Sequence, residues 1–387
     1  MEGDLVRTNE WLTPLSWLYG MGVALRNALF DMDVLESRSY KIPVICVGNL
    51  TVGGTGKTPH TEYLLRLLSP RYKVAVLSRG YKRKTSGYIL ATEESTVEEI
   101  GDEPWQMKQK FPDIYVAVDK NRREGIERLC DDPETCDVEV ILLDDAFQHR
   151  YVKPGLSILL IDYHRMVTDD RLLPVGRLRE PMESMNRANI VVVTKCPHDI
   201  KPMDYRVIQK ALGLKPYQDL FFSTFRYGKL WGLFHDKERK LSSLAPEESV
   251  RLLTGIASPE QLHLDLRRHT QRITSLSYPD HHNFTPYDIR HINHVFASLP
   301  SPRIIITTEK DATRLLYMQG LSREVKESLY ILPIRVDFLR DEQDMFNEKI
   351  SGYVLKNSRN RFLAKNQDDD DTRNSHHTGH GTGTTDR

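Results

Sequence analysis

Two kinds of hydrophobic pattern alternate between Lys41 and Pro197. Short runs rich in Val, Ile and Leu are typical of strands buried on both faces, whereas apolar residues recurring every three to four positions are typical of helices. Their alternation predicts a parallel sheet that is covered by helices on both faces. The predicted strands lie in VICVGNL, YKVAVLSRG, IYVAVD, VEVILLDDAFQH, GLSILLIDYHR and ANIVVVTKCP.

A second, smaller α/β unit is predicted from residue 216 onward. The apolar runs FFSTF and LWGLF predict a pair of strands, and the segments RIIITTEKDATRLL and LYILPIRVDF predict further strands. The end of the chain has no apolar periodicity, which predicts a disordered tail. The expected organisation is an N-terminal helix over 1–35, a first α/β domain over 36–215, a second α/β domain over 216–360 and a tail over 361–387.

The segment WLTPLSWLYGMGVALRNALF predicts one amphipathic helix near the N-terminus. The residues that recur on one face of it, at spacings of four and three, are Trp11, Leu15, Leu18, Gly22, Leu25 and Leu29. Its uncharged part is shorter than the roughly 18–20 residues that cross a bilayer, but Trp and Tyr are favoured at membrane surfaces. The pattern leaves two alternatives: a helix that lies in a membrane surface, or a helix packed on the protein's own core.

Charge and cysteine content narrow the class of protein. The 387 residues carry 54 Lys and Arg against 54 Asp and Glu. A general nucleic-acid-binding protein would show a basic excess, so nucleic acid is not an expected partner. Four cysteines without zinc-type spacing favour a reducing compartment, and the first residues lack a signal peptide. The catalytic part is therefore expected in the cytosol.

The strongest local motif is the Gly-rich loop TVGGTGKT, which lies between a predicted strand and a predicted helix. The usual phosphate-binding loop is G-x-x-x-x-G-K-[ST], and Thr51 replaces its first Gly. The glycines let backbone N–H groups face a phosphate, Lys57 reaches the outer phosphates, and the Thr58 hydroxyl ligates Mg²⁺. The predicted nucleotide-binding residues are Thr51, Val52, Gly53, Gly54, Thr55, Gly56, Lys57 and Thr58.

Polar residues gather where the predicted strands end. Because the carboxyl ends of parallel strands meet at one edge of a sheet, this gathering predicts an active site there. Asp144 ends the strand VEVILL, and together with Asp145 it is expected to hold Mg²⁺. The strand ends carry Gly48-Asn49, Ser78-Arg79-Gly80, Asp119, Asp144-Asp145, Asp162 and Thr194-Lys195.

The loop and the acidic strand end predict a P-loop NTPase-like domain that binds a nucleoside triphosphate and Mg²⁺. They do not separate kinases from GTPase switches, ATP-dependent ligases or partitioning ATPases, which share both motifs. The partitioning class has a Lys immediately before the Gly-Gly pair, where this chain has Val52.

Two places offer a proton acceptor for transfer to an alcohol. One is Asp102 in GDEP, and the other is the cluster Asp280-His281-His282 in YPDHHNF. Asp102 has an alternative role as a helix cap, and the cluster has an alternative role as a metal site.

Three arginines are candidates for binding phosphate groups, because a guanidinium group pairs with phosphate through two hydrogen bonds. Arg177 and Arg179 lie in the turn-rich segment LLPVGRLREP. Arg79 begins the basic loop RGYKRK at another strand end. This loop is either a solvated surface or a contact for the anionic part of a phosphorylated lipid.

Taken together, the motifs resemble the tetraacyldisaccharide 4'-kinase family, the lipid A 4'-kinases of Gram-negative bacteria. The resemblance implies two α/β/α domains joined by a two-stranded linker, with the active site between them. It also implies transfer of the ATP γ-phosphate to the 4'-hydroxyl of a tetraacylated glucosamine disaccharide 1-phosphate. The matching stretches, in family order, are PLSWLYG, VGNLTVGGTGKTP, LSRGYKRK, GDEPWQM, VILLDDAFQHR, LLPVGRLREP, VVVTKCP, YPDHHNF and TTEKDATRL.

The resemblance also implies where the enzyme works and which residues act. Asp102 and His281 would form a proton-accepting dyad, while Asp144 and Asp145 would organise Mg²⁺ and the phosphates. Asp280 is a further candidate for binding substrate. The enzyme would be peripheral on the cytoplasmic face of the inner membrane, reached through its N-terminal helix, with no obligate protein partner. The remaining alternatives are a P-loop switch or assembly ATPase acting on a protein, and an ATP-dependent ligase.

Overall fold

The computed structural model describes residues 10–256, 259–280 and 282–358. The predicted proton acceptor His281 and the predicted tail over 361–387 lie outside the described residues. The described chain forms two β-sheets with associated helices. The predicted α/β class with a large parallel sheet is confirmed.

Within the described ranges, nine strands form the larger sheet: β1 (Val44–Asn49), β2 (Val74–Ser78), β3 (Ile89–Leu90), β4 (Tyr115–Val118), β5 (Val140–Asp144), β6 (Leu156–Asp162), β7 (Ile190–Thr194), β8 (Asp219–Tyr227) and β15 (Ile334–Phe338). Their order is β15-β8-β7-β6-β1-β5-β2-β4-β3. All neighbours from β8 to β4 pair in parallel, and the edge strands β15 and β3 pair antiparallel.

Hydrophobic cores lie on both faces of this sheet. Along β1, Val44 and Cys46 pack in one core, whereas Ile45 and Val47 pack in the other. Every residue of β1, β2, β5, β6 and β7 is buried, as expected for parallel strands that are covered on both faces. The helices in this part of the chain are α1 (Thr13–Asp31), α2 (Lys57–Leu68), α3 (Val97–Ile100), α4 (Asp102–Lys110), α5 (Arg122–Asp131) and α6 (Pro202–Leu212).

A smaller sheet of six strands is present in the described part of the chain that follows β8. Its order is β10-β9-β14-β13-β11-β12, and the four strands from β14 to β12 are parallel. The strands are β9 (Leu230–Gly232), β10 (Glu238–Arg239), β11 (Ser249–Thr254), β12 (Ile273–Ser277), β13 (Arg303–Thr308) and β14 (Leu329–Leu332). The helices are α7 (Glu260–Arg267), α8 (Pro286–Ala297), α9 (Glu309–Leu315) and α10 (Arg323–Ser328).

The structure corrects three strand predictions in this second part. FFSTF lies in β8 and LWGLF begins in β9, and the two belong to different sheets rather than to one pair. LYILPIRVDF is divided at Pro333 into β14 and β15, which also lie in different sheets. RIIITTEKDATRLL is a strand only as far as Thr308, whose side chain accepts a hydrogen bond from the Asp311 N–H and so begins helix α9.

The chain leaves the larger sheet through β8 and returns to it through β15. These two strands pair antiparallel, with Ile334 opposite Tyr227, and both continue directly into the smaller sheet. They therefore join the two sheets. The residue bounds given above for the two domains stay a prediction.

Helix α1 exposes most of its apolar stripe. Trp11 just before the helix is 93% exposed, and Leu18 and Leu25 are 61% and 62% exposed. The buried residues of the helix are Ser16 and Phe30, on its other side. The stripe from Trp11 to Leu25 is therefore not packed on the protein's own core, whereas Leu29 at its end is half-buried. Contact of the stripe with a membrane stays a prediction. Among the described residues, no helix has the length and apolar character needed to cross a membrane.

Candidate active site

The Gly-rich loop connects β1 to α2 in the way that phosphate-binding loops do. Gly53 and Gly56 adopt φ angles of 116° and 85°, which residues with a Cβ rarely adopt. Lys57 and Thr58 are the first two residues of α2, whose N-terminal N–H groups and dipole favour an anion. The backbone conformation therefore matches the one that the sequence motif predicts.

Backbone pairing explains why Thr51 can replace the usual first Gly. Thr51 forms an isolated antiparallel bridge with Leu178, which requires an extended conformation that any residue can adopt. On either side of it, the Val52 N–H donates to the Arg177 carbonyl at 2.8 Å, and the Arg179 N–H donates to the Leu50 carbonyl at 2.7 Å. The segment around Leu178 thus fixes the start of the loop.

Side chains at the strand ends hold the rest of the loop. Asn49 Nδ2 donates to Thr55 Oγ1 at 2.9 Å, and Lys57 Nζ donates to Asn49 Oδ1 at 3.4 Å. Thr194 Oγ1, at the end of β7, donates to the Thr55 carbonyl at 2.9 Å. The predicted meeting of polar residues at one sheet edge is confirmed for these side chains.

The adjacent carboxylates Asp144 and Asp145 have different surroundings. Asp144 is buried and accepts hydrogen bonds from Thr61 Oγ1 at 3.2 Å and Ser78 Oγ at 3.4 Å. Asp145, directly after β5, lies 3.6 Å from Lys57 Nζ and accepts from Arg179 Nη1 at 3.2 Å. The structure therefore brings four predicted site residues together: Lys57, Asp144, Asp145 and Arg179.

These surroundings move the two pKa values in opposite directions. Burial, and then the neighbouring Asp145 charge, raise the pKa of Asp144 to about 6. Burial also opposes ionisation of Asp145, but the positive charges of Lys57 and Arg179 outweigh it and hold its pKa below the ordinary value. Asp145 is thus a stable anion, whereas a charge on Asp144 is costly unless a cation binds beside it.

The donor set fits a Mg²⁺ ion. Mg²⁺ prefers oxygen ligands and is usually held by one or two carboxylates together with substrate phosphate oxygens. Thr58, Asp144 and Asp145 supply such oxygens beside the loop. A divalent cation would also offset the charge that burial makes costly on Asp144.

The other predicted arginines take different positions. Arg79 directly follows β2 and is exposed. Arg177 is half-buried, and its backbone joins the phosphate-binding loop through Val52. Neither arrangement tests the predicted role in binding phosphate groups, which stays a prediction.

Helix α1 packs beside this site through polar contacts. Tyr19 Oη donates to the Arg179 carbonyl at 2.7 Å, and Ser16 Oγ donates to the Leu172 carbonyl at 2.9 Å. Arg26 Nη2 donates to the Gln148 carbonyl at 3.0 Å. Helix α1, which carries the exposed apolar stripe, therefore contacts the Arg179 segment that holds the start of the phosphate-binding loop.

Asp102 faces the smaller sheet's helix α9. It is the first residue of α4, and the cap position before it is Gly101, so the helix-cap alternative for Asp102 is wrong. Its Oδ1 accepts a hydrogen bond from Arg314 Nε at 3.2 Å, and its Oδ2 pairs with Arg314 Nη2. Both residues are buried. A predicted proton acceptor is thus held by an arginine 212 positions later in the chain.

Further ion pairs join α4 and α9, and we call this set with Asp102–Arg314 the α4–α9 contact. Glu103 lies 3.0 Å from Lys310 Nζ, and Glu309 lies 2.7 Å from Lys110 Nζ. Sequence reasoning missed the α9 side because TTEKDATRL was predicted as a strand. The available signal was Thr308 with Asp311 three residues later, which is typical of a helix start.

The loop YPDHHNF also contacts α9. Asp280 Oδ1 lies 3.2 Å from Lys310 Nζ, and the His282 carbonyl accepts from Arg314 Nη1 at 3.5 Å. His282 Nε2 lies 3.0 Å from Asp288 Oδ2 at the start of α8. His281 lies outside the described residues, so its predicted dyad with Asp102 and the alternative of a metal site in this loop stay untested.

Comparisons with known proteins assign the chain to a family. The family model for tetraacyldisaccharide-1-P 4'-kinase matches residues 8–354. A tetraacyldisaccharide 4'-kinase from Bacteroides fragilis is 57% identical over 373 residues, covering 95% of this chain and 99% of that protein. One from Flavobacterium johnsoniae is 45% identical over 348 residues, covering 89% of this chain and 97% of that protein.

A solved structure agrees with these sequence relatives. It is the crystal structure of LpxK from Aquifex aeolicus in complex with ATP, which is 29% identical. The match covers 89% of this chain and 98% of that one, with a TM-score of 0.67. Sequence and fold agree over most of the chain, and the protein therefore belongs to the tetraacyldisaccharide-1-P 4'-kinase family.

Proposed function

We propose that this protein is an ATP-dependent kinase that phosphorylates the 4'-hydroxyl of a tetraacylated glucosamine disaccharide 1-phosphate, a lipid A precursor. The observation that carries the proposal is the phosphate-binding loop with Lys57, Asp144 and Asp145 at its mouth. Family membership over residues 8–354 supports the lipid acceptor. The switch ATPases and the ligases share this loop, and the family match favours the lipid kinase over both.

The loop would bind the ATP phosphates through the N–H groups of residues 51–58. Lys57 is ready to face the outer phosphates, since its Nζ already lies among the oxygens of Asn49 and Asp145. Thr58, Asp144 and Asp145 would hold Mg²⁺, which when bound neutralises phosphate charge. Arg179 would keep Asp145 ionised and in place.

The transfer itself needs one proton acceptor and an in-line arrangement. The oxygen of the 4'-hydroxyl forms a bond to the γ-phosphorus, the bond from that phosphorus to the β–γ bridging oxygen breaks, and ADP leaves. The proton of the hydroxyl passes to the carboxylate of Asp102, which we propose acts with His281. Asp280, Arg79 and Arg177 are proposed to bind the polar part of the lipid.

We further propose that the enzyme works on the cytoplasmic face of the inner membrane as a peripheral protein. The exposed stripe of Trp11, Leu15, Leu18 and Leu25 supports this, because such a stripe enters the interface between headgroups and acyl chains. Since α1 also contacts the Arg179 segment through Tyr19, a helix in the membrane surface would place the loop near the lipid.

The acceptor is tested by incubating the purified protein with ATP, Mg²⁺ and the tetraacylated disaccharide 1-phosphate. The proposal predicts a lipid product that is heavier by one phosphate group. It also predicts the release of one ADP for each lipid molecule that is phosphorylated. ADP release at the same rate with and without lipid, and without a change in lipid mass, would contradict it.

The membrane contact is tested separately by sedimentation with phosphatidylethanolamine and phosphatidylglycerol vesicles. The double variant Leu18→Ser/Leu25→Ser should bind the vesicles at least about 10-fold more weakly, since burying each leucine contributes about 1.5–3 kcal/mol. Met203→Ser is the matched control, because Met203 is equally exposed, at 65%, on α6. Equal binding by the double variant and the control would refute the contact.

A further inference from the structure

Arg314 connects three parts of the molecule at the proposed proton acceptor. Its Nε and Nη2 engage the two oxygens of Asp102, and its Nη1 donates to the His282 carbonyl at 3.5 Å. Asp102 belongs to a helix of the larger sheet's part of the chain, whereas Arg314 and His282 belong to the smaller sheet's part. One buried side chain therefore fixes both a carboxylate and the neighbouring YPDHHNF loop.

The position of Arg314 is itself fixed by Asp311. Asp311 is fully buried and accepts from the Gly255 N–H at 2.9 Å and from Thr308 Oγ1 at 2.7 Å. Its Oδ1 lies 3.7 Å from Arg314 Nη1. The Arg314 side chain is thus already ordered by its own part of the chain. Its contact with Asp102 therefore costs little further side-chain entropy.

The two-point contact constrains Asp102 more than a single hydrogen bond would. A carboxylate has about four lone-pair positions, and Arg314 occupies one on each oxygen. The contact fixes the plane of the carboxylate and thereby the direction of the lone pairs that remain.

We propose that Arg314 is a positioning residue for phosphoryl transfer, which acts through Asp102 by holding its carboxylate in the orientation that accepts the proton of the acceptor hydroxyl. This inference rests on the proposed function, in which Asp102 is the proton acceptor. The competing explanation is purely structural: Arg314 would then be one of several ion pairs that join α4 to α9.

A control variant separates these explanations. Glu309 joins the same two helices through Lys110, at the opposite end of α4 from Asp102. Glu309→Gln removes that pair, while Lys110 keeps its contact with Glu62 at 2.8 Å. A structural role predicts comparable effects of Glu309→Gln and Arg314→Met, whereas a positioning role predicts a loss of turnover with Arg314→Met alone.

The experiment is a double-mutant cycle in kcat, measured at saturating ATP and lipid. Arg314→Met should lower kcat about 10–100-fold, the size expected when a reacting group is misplaced by about 1 Å. The KM for ATP should stay within about threefold, and Glu309→Gln should keep kcat within about threefold. Arg314→Lys, which keeps the charge but not the planar two-point contact, should give an intermediate kcat.

The decisive comparison uses Asp102→Asn as the background. If Arg314 acts through Asp102, then adding Arg314→Met to Asp102→Asn should change kcat by less than about twofold. If the fold loss in kcat of the double variant equals the product of the two single losses, the inference is overturned. Should Asp102→Asn itself leave kcat unchanged, the proposed proton acceptor would be wrong, so the two failures are distinguishable. Thermal unfolding of each variant is recorded, and Arg314→Lys replaces Arg314→Met in the cycle if Arg314→Met does not fold.

Discussion

The phosphate-binding loop and the α4–α9 contact are built in different ways. The loop is held by backbone hydrogen bonds to the segment around Leu178 and by uncharged groups such as Asn49 and Thr194. The α4–α9 contact consists of charged pairs between elements of the two sheets, namely Asp102–Arg314, Glu103–Lys310 and Lys110–Glu309. The loop contacts lie at one edge of the larger sheet. The α4–α9 contact joins a helix of the larger sheet's part of the chain to a helix of the smaller sheet's part.

This difference suggests a division of labour in catalysis. Because the loop is held by the segment around Leu178 and by Asn49 and Thr194, we expect it to bind a nucleotide without help from the smaller sheet. Asp102, which we propose as the proton acceptor, is in contrast held by Arg314 from the smaller sheet's part of the chain, so we expect its competence to depend on that contact. We expect such an arrangement to limit the hydrolysis of ATP by water when the parts are not correctly joined.

The largest effect on turnover should come from a change in the phosphate-binding loop. Lys57→Ala removes a cation that lies 3.6 Å from Asp145 Oδ1 and beside the expected phosphates. We expect kcat to fall at least about 10³-fold and ATP binding to weaken, because a preorganised positive charge stabilises both bound and transferring phosphate. Steady-state kinetics and ATP calorimetry measure the two effects. Lys153→Ala, at an exposed lysine, is the control, and similar losses in both variants would contradict the assignment.

An intermediate effect, on stability, should come from breaking the α4–α9 contact. Lys110→Met leaves the buried Glu62 and the half-buried Glu309 without their shared cation. Removing one partner of a buried pair typically costs about 3–5 kcal/mol, reduced here because Arg66 and Gln106 also contact Glu62. Urea unfolding should show a loss of about 2–3 kcal/mol. A loss below about 0.5 kcal/mol would mean that this contact contributes little.

An effect of opposite sign, which vanishes at low pH, is expected at Asp144. Its folded pKa of about 6 lies above the value of 3.8 in the unfolded chain, so folding takes up a proton between about pH 4 and 6, and stability is lost as the pH rises through that window. Asp144→Asn should therefore stabilise the nucleotide-free protein by up to about 3 kcal/mol at pH 7, and by almost nothing at pH 4. Thermal unfolding at both pH values measures this. A variant that is less stable at pH 7 would contradict the account.

The same comparison shows what the sequence could predict. The loop was predictable because its determinants lie within residues 51–58 and because strand ends such as Asn49, Asp144 and Thr194 meet at one edge of a parallel sheet by topology alone. Asp102 was predictable as a candidate through its motif. Its partner Arg314 was not, since the contact joins residues far apart in the chain.

Two errors in the second part have a common physical cause. In RIIITTEKDATRLL an apolar strand runs directly into a helix, and the capping role of Thr308 decides the boundary. In LYILPIRVDF a continuous apolar run is divided by Pro333 between two sheets. Hydrophobic periodicity reports burial, but it does not report which sheet receives a strand.

We propose that the loop binds ATP on its own, whereas Asp102 at the α4–α9 contact is needed only for transfer. The most direct test measures the kcat and the ATP dissociation constant of Asp102→Asn in the same preparation. The account predicts a kcat about 10²–10⁴-fold lower with an ATP dissociation constant within about threefold of the parent. A turnover within a few-fold of the parent, or ATP binding that falls in parallel with turnover, would contradict it.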